Sequence, residues 1–475
     1  MGHSHRIAHW DPEDVLAWEG GNKVIARRNL IWSVMAVHLG YSVWSLWSVM
    51  VLFMPQSVYG FSVADKFLLG TVATLVGAFL RLPYALATAT FGGRNWTAVS
   101  AFLLLIPTLG TMVLLAHPGL PLWPYLVCAA LTGLGGGNFA ASTAVANAFY
   151  PQRLKGTVLG FTGGAGNLGV PTIQLVGLLV IAVAGNRQPY WVGAVYLVLL
   201  AITAIGATRF MNNLEQHRVE ATHLRAILSA VLSERDTWLL ALLYLGTFGS
   251  FIGFAFAFGE VLQLNFLAGG QSHRQAALHA AQIAFLGPLL ASLARVYGGR
   301  LADRAGGGRV TLMAFVAMFL ATGLLVGVST IDDHTPGPAG GALLAGYIVS
   351  FFTLFVLSGI GNASVYKMIP TVFEECRREL GVGDAAERDW SRVLSGVVMG
   401  VVAAFGALGG FGINLALRQS YLSTGTGTGA FWIFMMCYVA AALLTWTVYV
   451  RRPFPRPGSQ EPPMRPQLAK SPSRS

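Results

Sequence analysis

Charge is scarce in this chain of 475 residues: Asp, Glu, Lys and Arg together make up 11% of it. A soluble domain carries about 25%. The deficit, with a 54% hydrophobic share, excludes an ordinary soluble fold and predicts a polytopic membrane protein. Cysteine is nearly missing too. Cys128, Cys376 and Cys437 are far apart, match no metal-ligand spacing and suggest no disulfide framework. The polar start MGHSHRIAHWDPEDVLAWEGGNK lacks the apolar core of a cleavable signal, so insertion is expected to rest on the first spanning helix. No catalytic triad or phosphate loop stands out, and His3, His5 and His9 are too few and too loosely ordered for a metal site. The chain is therefore expected to be no enzyme and to need neither metal nor cofactor. A net charge of +11 would suggest nucleic acid in a soluble protein. Here the charges fall in short loops between apolar runs, so the expected surroundings are lipid, with no nucleic acid.

What is present in abundance is apolar sequence. Runs of about 20 residues, enough to cross a bilayer as helix, occur about twelve times. In the first half they cover 30–54, 67–91, 97–116, 122–149, 156–184 and 190–211. In the second half they cover 237–263, 276–298, 310–329, 342–370, 392–416 and 430–450. The expected fold is all-α, with twelve transmembrane helices in two six-helix bundles related by a pseudo-two-fold axis. The domains are then an N-terminal segment (1–29), a first bundle (30–211), a charged linker (212–236), a second bundle (237–450) and a disordered Pro-, Ser- and Arg-rich tail (451–475). With both termini cytoplasmic, 25 of the 31 basic residues fall on the cytoplasmic side and four on the other. That is a strong positive-inside bias, and the expected location is the inner cell membrane, with both termini cytoplasmic.

The two remaining basic residues lie within apolar segments. Arg81 stands in LLGTVATLVGAFL-Arg81-LPYALATATF and Arg295 in AFLGPLLASLA-Arg295-VYGG, and neither segment holds an acid. A charge inside a bilayer costs several kcal/mol and usually lines a pathway or a site. Two uncompensated positive charges imply that the missing partner is the cargo, a small anion. Arg81 lies 13 residues before the boundary marker Arg94, too deep to snorkel easily. Arg295 is five residues from Arg300 and could either line a site or snorkel.

The halves echo each other in order. Each second span carries its lone arginine and then a Gly-Gly-Arg turn, at Gly92–Arg94 and Gly298–Arg300. Each fourth span carries Gly-x-Gly-Asn, at Gly135–Asn138 and Gly359–Asn362, and each fifth span is dense in glycine. Gly164, Gly166 and Gly169 in the first half, and Gly406, Gly409 and Gly410 in the second, are candidate helix-packing and gating positions. Packing leaves Asn167 unexplained, since its amide needs a partner within the membrane; a site role and a structural one both remain open. Tyr244 and Phe248 share a helix face at i and i+4, and on residues alone could equally be core. His38 could be an interior histidine or a proton relay, Lys367 could snorkel or face the pathway, and Glu260 is expected at a membrane interface.

The stretch Gly299-Arg300-Leu301-Ala302-Asp303-Arg304 resembles the inter-helix loop motif of the major facilitator superfamily, in which Asp303 and Arg304 can pair with each other and with helix ends. RLPYALATATFGGRNWT (81–97), GGGNFAAS (135–142), GFTGGAGNLGVPTIQLV (160–176), LLYLGTFGSFIGF (242–254), FLGPLLASLARVYGGRLADRAGG (285–307) and AFGALGGFGI (404–413) together resemble the nitrate/nitrite porter (NarK-type) family of that superfamily. Ala363 departs from the pattern, where a glycine is expected.

The resemblance implies that Arg81 and Arg295 clamp nitrate or nitrite from the two halves. It implies hydrogen bonds from Asn167 and Tyr244, and packing of Phe139 and Phe248 on the anion's flat faces. The expected activity is nitrate/nitrite antiport by rocking of the halves, in a chain that works as a monomer. Nitrate/proton symport is the alternative within the class, with His38 as the relay. A membrane anion sensor is a more distant one, since neither linker nor tail is long enough to fold as an output domain.

Overall fold

The computed structural model describes residues 5–184, 188–215, 228–229, 231–335, 340–379 and 385–451. Most of the expected linker and nearly all of the expected disordered tail lie outside these residues. Among the described residues the fold is helical apart from one two-residue ladder, with twelve passes arranged as two bundles. The first bundle is α1 (Lys23–Trp44), α2 (Val63–Phe91), α3 (Gly93–Ala116), α4 (Leu122–Thr132 and Leu134–Phe149), α5 (Gln152–Ala184) and α6 (Trp191–Phe210). The second is α7 (Arg235–Ala268), α8 (His273–Ala305), α9 (Gly307–His334), α10 (Gly341–Glu379), α11 (Ala385–Thr424) and α12 (Thr428–Val450). Eleven helices among the described residues are individually long and apolar enough to span a membrane. The remaining pass, α4, is divided at Gly133. Two further interruptions, at Leu104 in α3 and Phe285 in α8, have a common cause. Pro107 and Pro288 lack the N–H that would bond the carbonyls four residues back.

The second helix of each half is built in the same way. Ser62 and Asp65 close a capping box at the start of α2, and Ser272 and Gln275 close one at the start of α8. Gly92 ends α2 at φ 88° and Gly306 ends α8 at φ 87°, a conformation that glycine adopts without strain. The second turn thus falls elsewhere than the Gly-Gly-Arg pattern predicts. Helix α8 runs straight through Gly298 and Gly299, and the counterpart of Gly92 is Gly306. Gly298 is small for another reason: a Cβ there would strike the α10 backbone at Ile360. Gly299, Asp303 and Arg304 therefore belong to the last turns of a helix rather than to a loop. Asp303 pairs with Lys367 of α10 instead of Arg304, which gives Lys367 a partner outside the pathway.

Glycines set the spacing within each bundle. A Cβ at Gly169 would strike the His38 carbonyl of α1, and one at Gly166 would press on Val37. In the other half, Gly409 lies on the Leu245 carbonyl of α7, Gly406 on the Tyr244 ring and Gly410 on Ile252. The α1–α5 and α7–α11 contacts are counterparts, which is the repeat seen in three dimensions. Gly164 differs: nothing lies within 4 Å of where its Cβ would be, so it spaces no helix pair in this conformation.

At the end of the bundle where the chain starts, the segment before α1 is folded against the first half. Residues Arg6–Ile7 pair in parallel with Asn213–Leu214, just after α6. The Trp10 indole N–H donates to the Phe149 carbonyl (3.3 Å), and Trp18 packs edge-on against Tyr150. These rings join Ala98, Val145, Met211 and Leu214 in a small separate core. Trp10→Ala is expected to cost about 3–5 kcal/mol, as for other buried Trp truncations. It should also speed amide exchange at Asn213 and Glu215, whose N–H groups donate to the carbonyls of His5 and Ile7. Unchanged exchange at those two amides would show that the segment is not held by its tryptophan.

At the opposite end the two halves are joined by buried polar contacts. Lys66 of α2 pairs with Glu260 of α7 at 3.1 Å, with side-chain exposures of 10% and 2%. Glu260 is thus a buried carboxylate paired across the two halves, at the end of α7 where the sequence expects the membrane interface. Its burial follows from α7 lying against both bundles. Nearby, the Gln263 amide donates to the Leu52 carbonyl (2.8 Å) and the Gln174 amide to the Ala255 carbonyl (2.9 Å). Each of these bonds crosses between halves.

Candidate functional site

Midway along α2, Arg81 is fully buried. Its Nη2 donates to the Tyr41 hydroxyl of α1 at 2.6 Å, and its Nη1 donates at 2.6 Å to the Ala403 carbonyl of α11, in the opposite half. Its Nε has no partner. Aromatic rings enclose the guanidinium: Phe248 at 4.6 Å, Phe139 at 5.3 Å, Trp44 at 5.5 Å and Tyr41 at 5.8 Å from Cζ to ring centroid. Rings at such distances attract the cation through their quadrupoles and exclude water, but they do not neutralise it. Among the described residues, no carboxylate pairs with Arg81 or Arg295.

Arg295 enters from α8. It is buried rather than snorkelling, and its Nη1 has no partner. Its Cζ lies 5.9 Å from the Tyr366 ring of α10. Its Nη2 comes within 3.2 Å of where a Cβ on Gly163 of α5 would stand. The side chain therefore reaches the first half, and any larger residue at 163 would press on it. Phe139 lies on the same side of Gly163, 3.6 Å from that Cβ position. Rings bridge the two arginines: Phe139 is 6.2 Å from Tyr366, so a path runs from Arg81 through Phe139 and Tyr366 to Arg295.

Tyr244 stacks on Phe248 with centroids 5.3 Å apart and planes at 3°, and lies 5.6 Å from the Tyr366 ring. Its hydroxyl is buried without a partner. Asn167 is buried, and neither its amide nitrogen nor its oxygen has a partner. It follows Gly163 by one helical turn, so it shares the α5 face that meets Arg295. A buried polar group left unsatisfied costs about 1–3 kcal/mol. Arg81 Nε, Arg295 Nη1, Tyr244 Oη and the Asn167 amide make a set of such groups, contributed by both halves and rich in donors. A small anion with several acceptor atoms would satisfy them together.

Of the residues singled out in the sequence, Arg81, Arg295, Tyr244, Phe139 and Phe248 thus meet around one centre, with Asn167 on the helix face that borders it. His38 stands apart: its Nδ1 hydrogen-bonds the Ala165 carbonyl at 2.9 Å, the contact of an interior histidine. Sequence reasoning missed Tyr41, Trp44, Tyr366 and Gly163. The repeat points to Tyr41 only once its helix contacts are known. Val37 on Gly166 and Tyr244 on Gly406 are counterpart contacts, so Tyr41, four residues after Val37, matches Phe248, four after Tyr244. Tyr366 likewise follows Asn362 by one turn.

The profile of the Major Facilitator Superfamily matches residues 30–382 of the chain. The chain is 35% identical over 469 residues to the nitrate/nitrite transporter NarU of Salmonella typhimurium, covering 94% of this chain and 96% of that protein. The Escherichia coli NarU is also 35% identical, covering 94% of this chain and 97% of its own. This chain is 29% identical to the probable nitrate/nitrite antiporter NarK2 of Thermus thermophilus, covering 95% of this chain and 98% of that one. Among solved structures, the D-xylose-proton symporter superposes with a TM-score of 0.64 at 13% identity, covering 89% of this chain and 97% of its own. That last likeness speaks for the fold alone.

Proposed function

The chain belongs to the nitrate/nitrite porters of the major facilitator superfamily, and from that premise we propose that it exchanges nitrate for nitrite across the inner cell membrane by alternating access. It is a membrane transporter and not an enzyme. The observation that carries the reading is the pair of buried guanidiniums, one from each half, with no carboxylate partner among the described residues and with donors left unsatisfied. Like charges held around one centre repel, and a bound monoanion relieves the repulsion. Guanidinium suits a trigonal oxyanion because its planar fork matches paired oxygens. In this reading Arg81 and Arg295 clamp the anion, Tyr244 and Asn167 donate to it, and Phe139 and Phe248 pack on its faces. One chain holds both arginines, so a monomer suffices. The strong bias of basic residues supports a cytoplasmic location for both termini.

Exchange rather than net uptake follows from the same pair of charges. Without an anion between them, two unneutralised cations oppose closure of the halves, so the carrier reorients loaded. Proton symport would call for a titratable carboxylate at the arginines. The buried Glu260 is instead tied to Lys66 at one end of the bundle. The test is nitrate uptake into proteoliposomes with and without internal nitrite. Uptake is expected only into nitrite- or nitrate-loaded vesicles. Nitrate accumulating in empty vesicles under a pH gradient would sink the antiport reading in favour of symport.

A further inference from the structure

Arg81 does not wait for its ligand with a free fork, because both Nη atoms already donate to protein oxygens. Each Nη keeps a second N–H. The open position is the side-on edge formed by Nε and Nη2, and Nε has no partner. Tyr41 lies next to that edge, since its hydroxyl accepts one of the two Nη2 N–H groups at 2.6 Å. An oxyanion received on the Nε–Nη2 edge therefore arrives beside the Tyr41 oxygen.

The phenol is also held in place. Tyr41 is fully buried, its ring meets Trp44 edge-on at 5.2 Å, and Phe139 lies 6.2 Å away. Trp44 is itself fixed by an N–H bond to the Ala73 carbonyl at 2.8 Å. The hydroxyl accepts one hydrogen bond, from the guanidinium, and its own hydrogen has no acceptor among the described residues. A hydroxyl that accepts from a cation becomes a stronger donor on its other side, because hydrogen bonds in a chain polarise one another.

Resting on the reading above as a nitrate/nitrite carrier, we propose that Tyr41 positions the Arg81 guanidinium and donates its own O–H to the bound anion. The first bundle then supplies a linked pair of groups, guanidinium and phenol, to one oxygen-bearing edge of the substrate. Tyr244, on the opposite half, supplies the facing phenol. Both halves thus present an arginine and a tyrosine to the anion, although the two tyrosines do not occupy equivalent positions in the repeat.

The test is Tyr41→Phe, which keeps the ring and removes only the hydroxyl. KM for nitrate and nitrite in exchange assays is expected to rise about ten- to a hundredfold, the usual effect of losing a hydrogen bond to a charged partner. Maximal exchange rate should stay within about threefold, as for a group that binds rather than drives reorientation. Tyr125→Phe serves as the control for losing a buried tyrosine hydroxyl, because Tyr125 donates to the Leu114 carbonyl well away from the arginines. It should leave KM unchanged. If Tyr41→Phe transports too weakly to assign a KM, calorimetric titration of the purified variant with sodium nitrite gives the affinity directly. An unchanged affinity, or a fall in maximal rate alone, overturns the proposal. A wild-type protein that binds neither anion would instead overturn the carrier reading on which it rests.

Discussion

Arg81→Lys is expected to lower nitrate/nitrite exchange by roughly a hundredfold or more, the scale set by removing a buried, charge-assisted hydrogen bond. The charge survives the substitution, so the effect isolates geometry. The guanidinium donates at once to Ala403 of the second half and to Tyr41 of the first, and still offers Nε and further N–H groups. It also lies among four aromatic rings. An ammonium has three donors around one nitrogen, cannot span those acceptors and an anion together, and has no planar face to set against the rings. The measurement is labelled nitrate uptake into nitrite-loaded vesicles at matched protein density. A lysine variant that exchanges at the wild-type rate would mean that charge alone is required and that the two-pronged clamp is wrong.

The second large effect is expected at the opposite end of the bundle from the termini. Lys66→Ala leaves the Glu260 carboxylate buried at 2% exposure without its counter-charge, and Glu260→Ala strands the Lys66 ammonium. Breaking a buried pair on one side costs about 3–5 kcal/mol, whereas removing both charges costs far less. The Lys66→Ala/Glu260→Ala double variant should therefore unfold at a higher temperature than either single variant. Because the pair joins α2 to α7, each single variant should also open this end. Cysteines placed beside Gln263 would then be labelled faster by a membrane-impermeant reagent. If the two single effects simply add in the double variant, Lys66 and Glu260 are not energetically coupled.

Much of the architecture was legible because its causes are local. A helix must be long and apolar to cross a bilayer, and among the described residues eleven helices meet that demand one by one, while the run over 122–149 is divided at Gly133. The lone arginines were visible because a charge in an apolar run is costly whatever surrounds it. The packing glycines were only partly legible. Gly166, Gly169, Gly406, Gly409 and Gly410 do lie against neighbouring helices, while Gly164 faces open space and Gly163, one residue away, makes room for Arg295. One step along a helix turns a side chain by about 100°, and composition does not say which way the helix faces.

The order of residues alone dictates a two-bundle membrane protein with an uncompensated arginine in each half, since hydrophobic length and the cost of buried charge are properties of a segment. What those arginines touch depends on how the helices come together in space. Arg81 is joined to Tyr41, 40 residues away, and to a carbonyl 322 residues away. Glu260 finds Lys66 across the two halves, and Asp303 finds Lys367 rather than its neighbour Arg304. The turn after Arg295 falls at Gly306, while Gly298 is taken up by close contact with α10. Hydrogen bonds and ion pairs depend on atoms meeting within a few ångströms, and partners so distant in the chain are selected by how the helices rotate and pack.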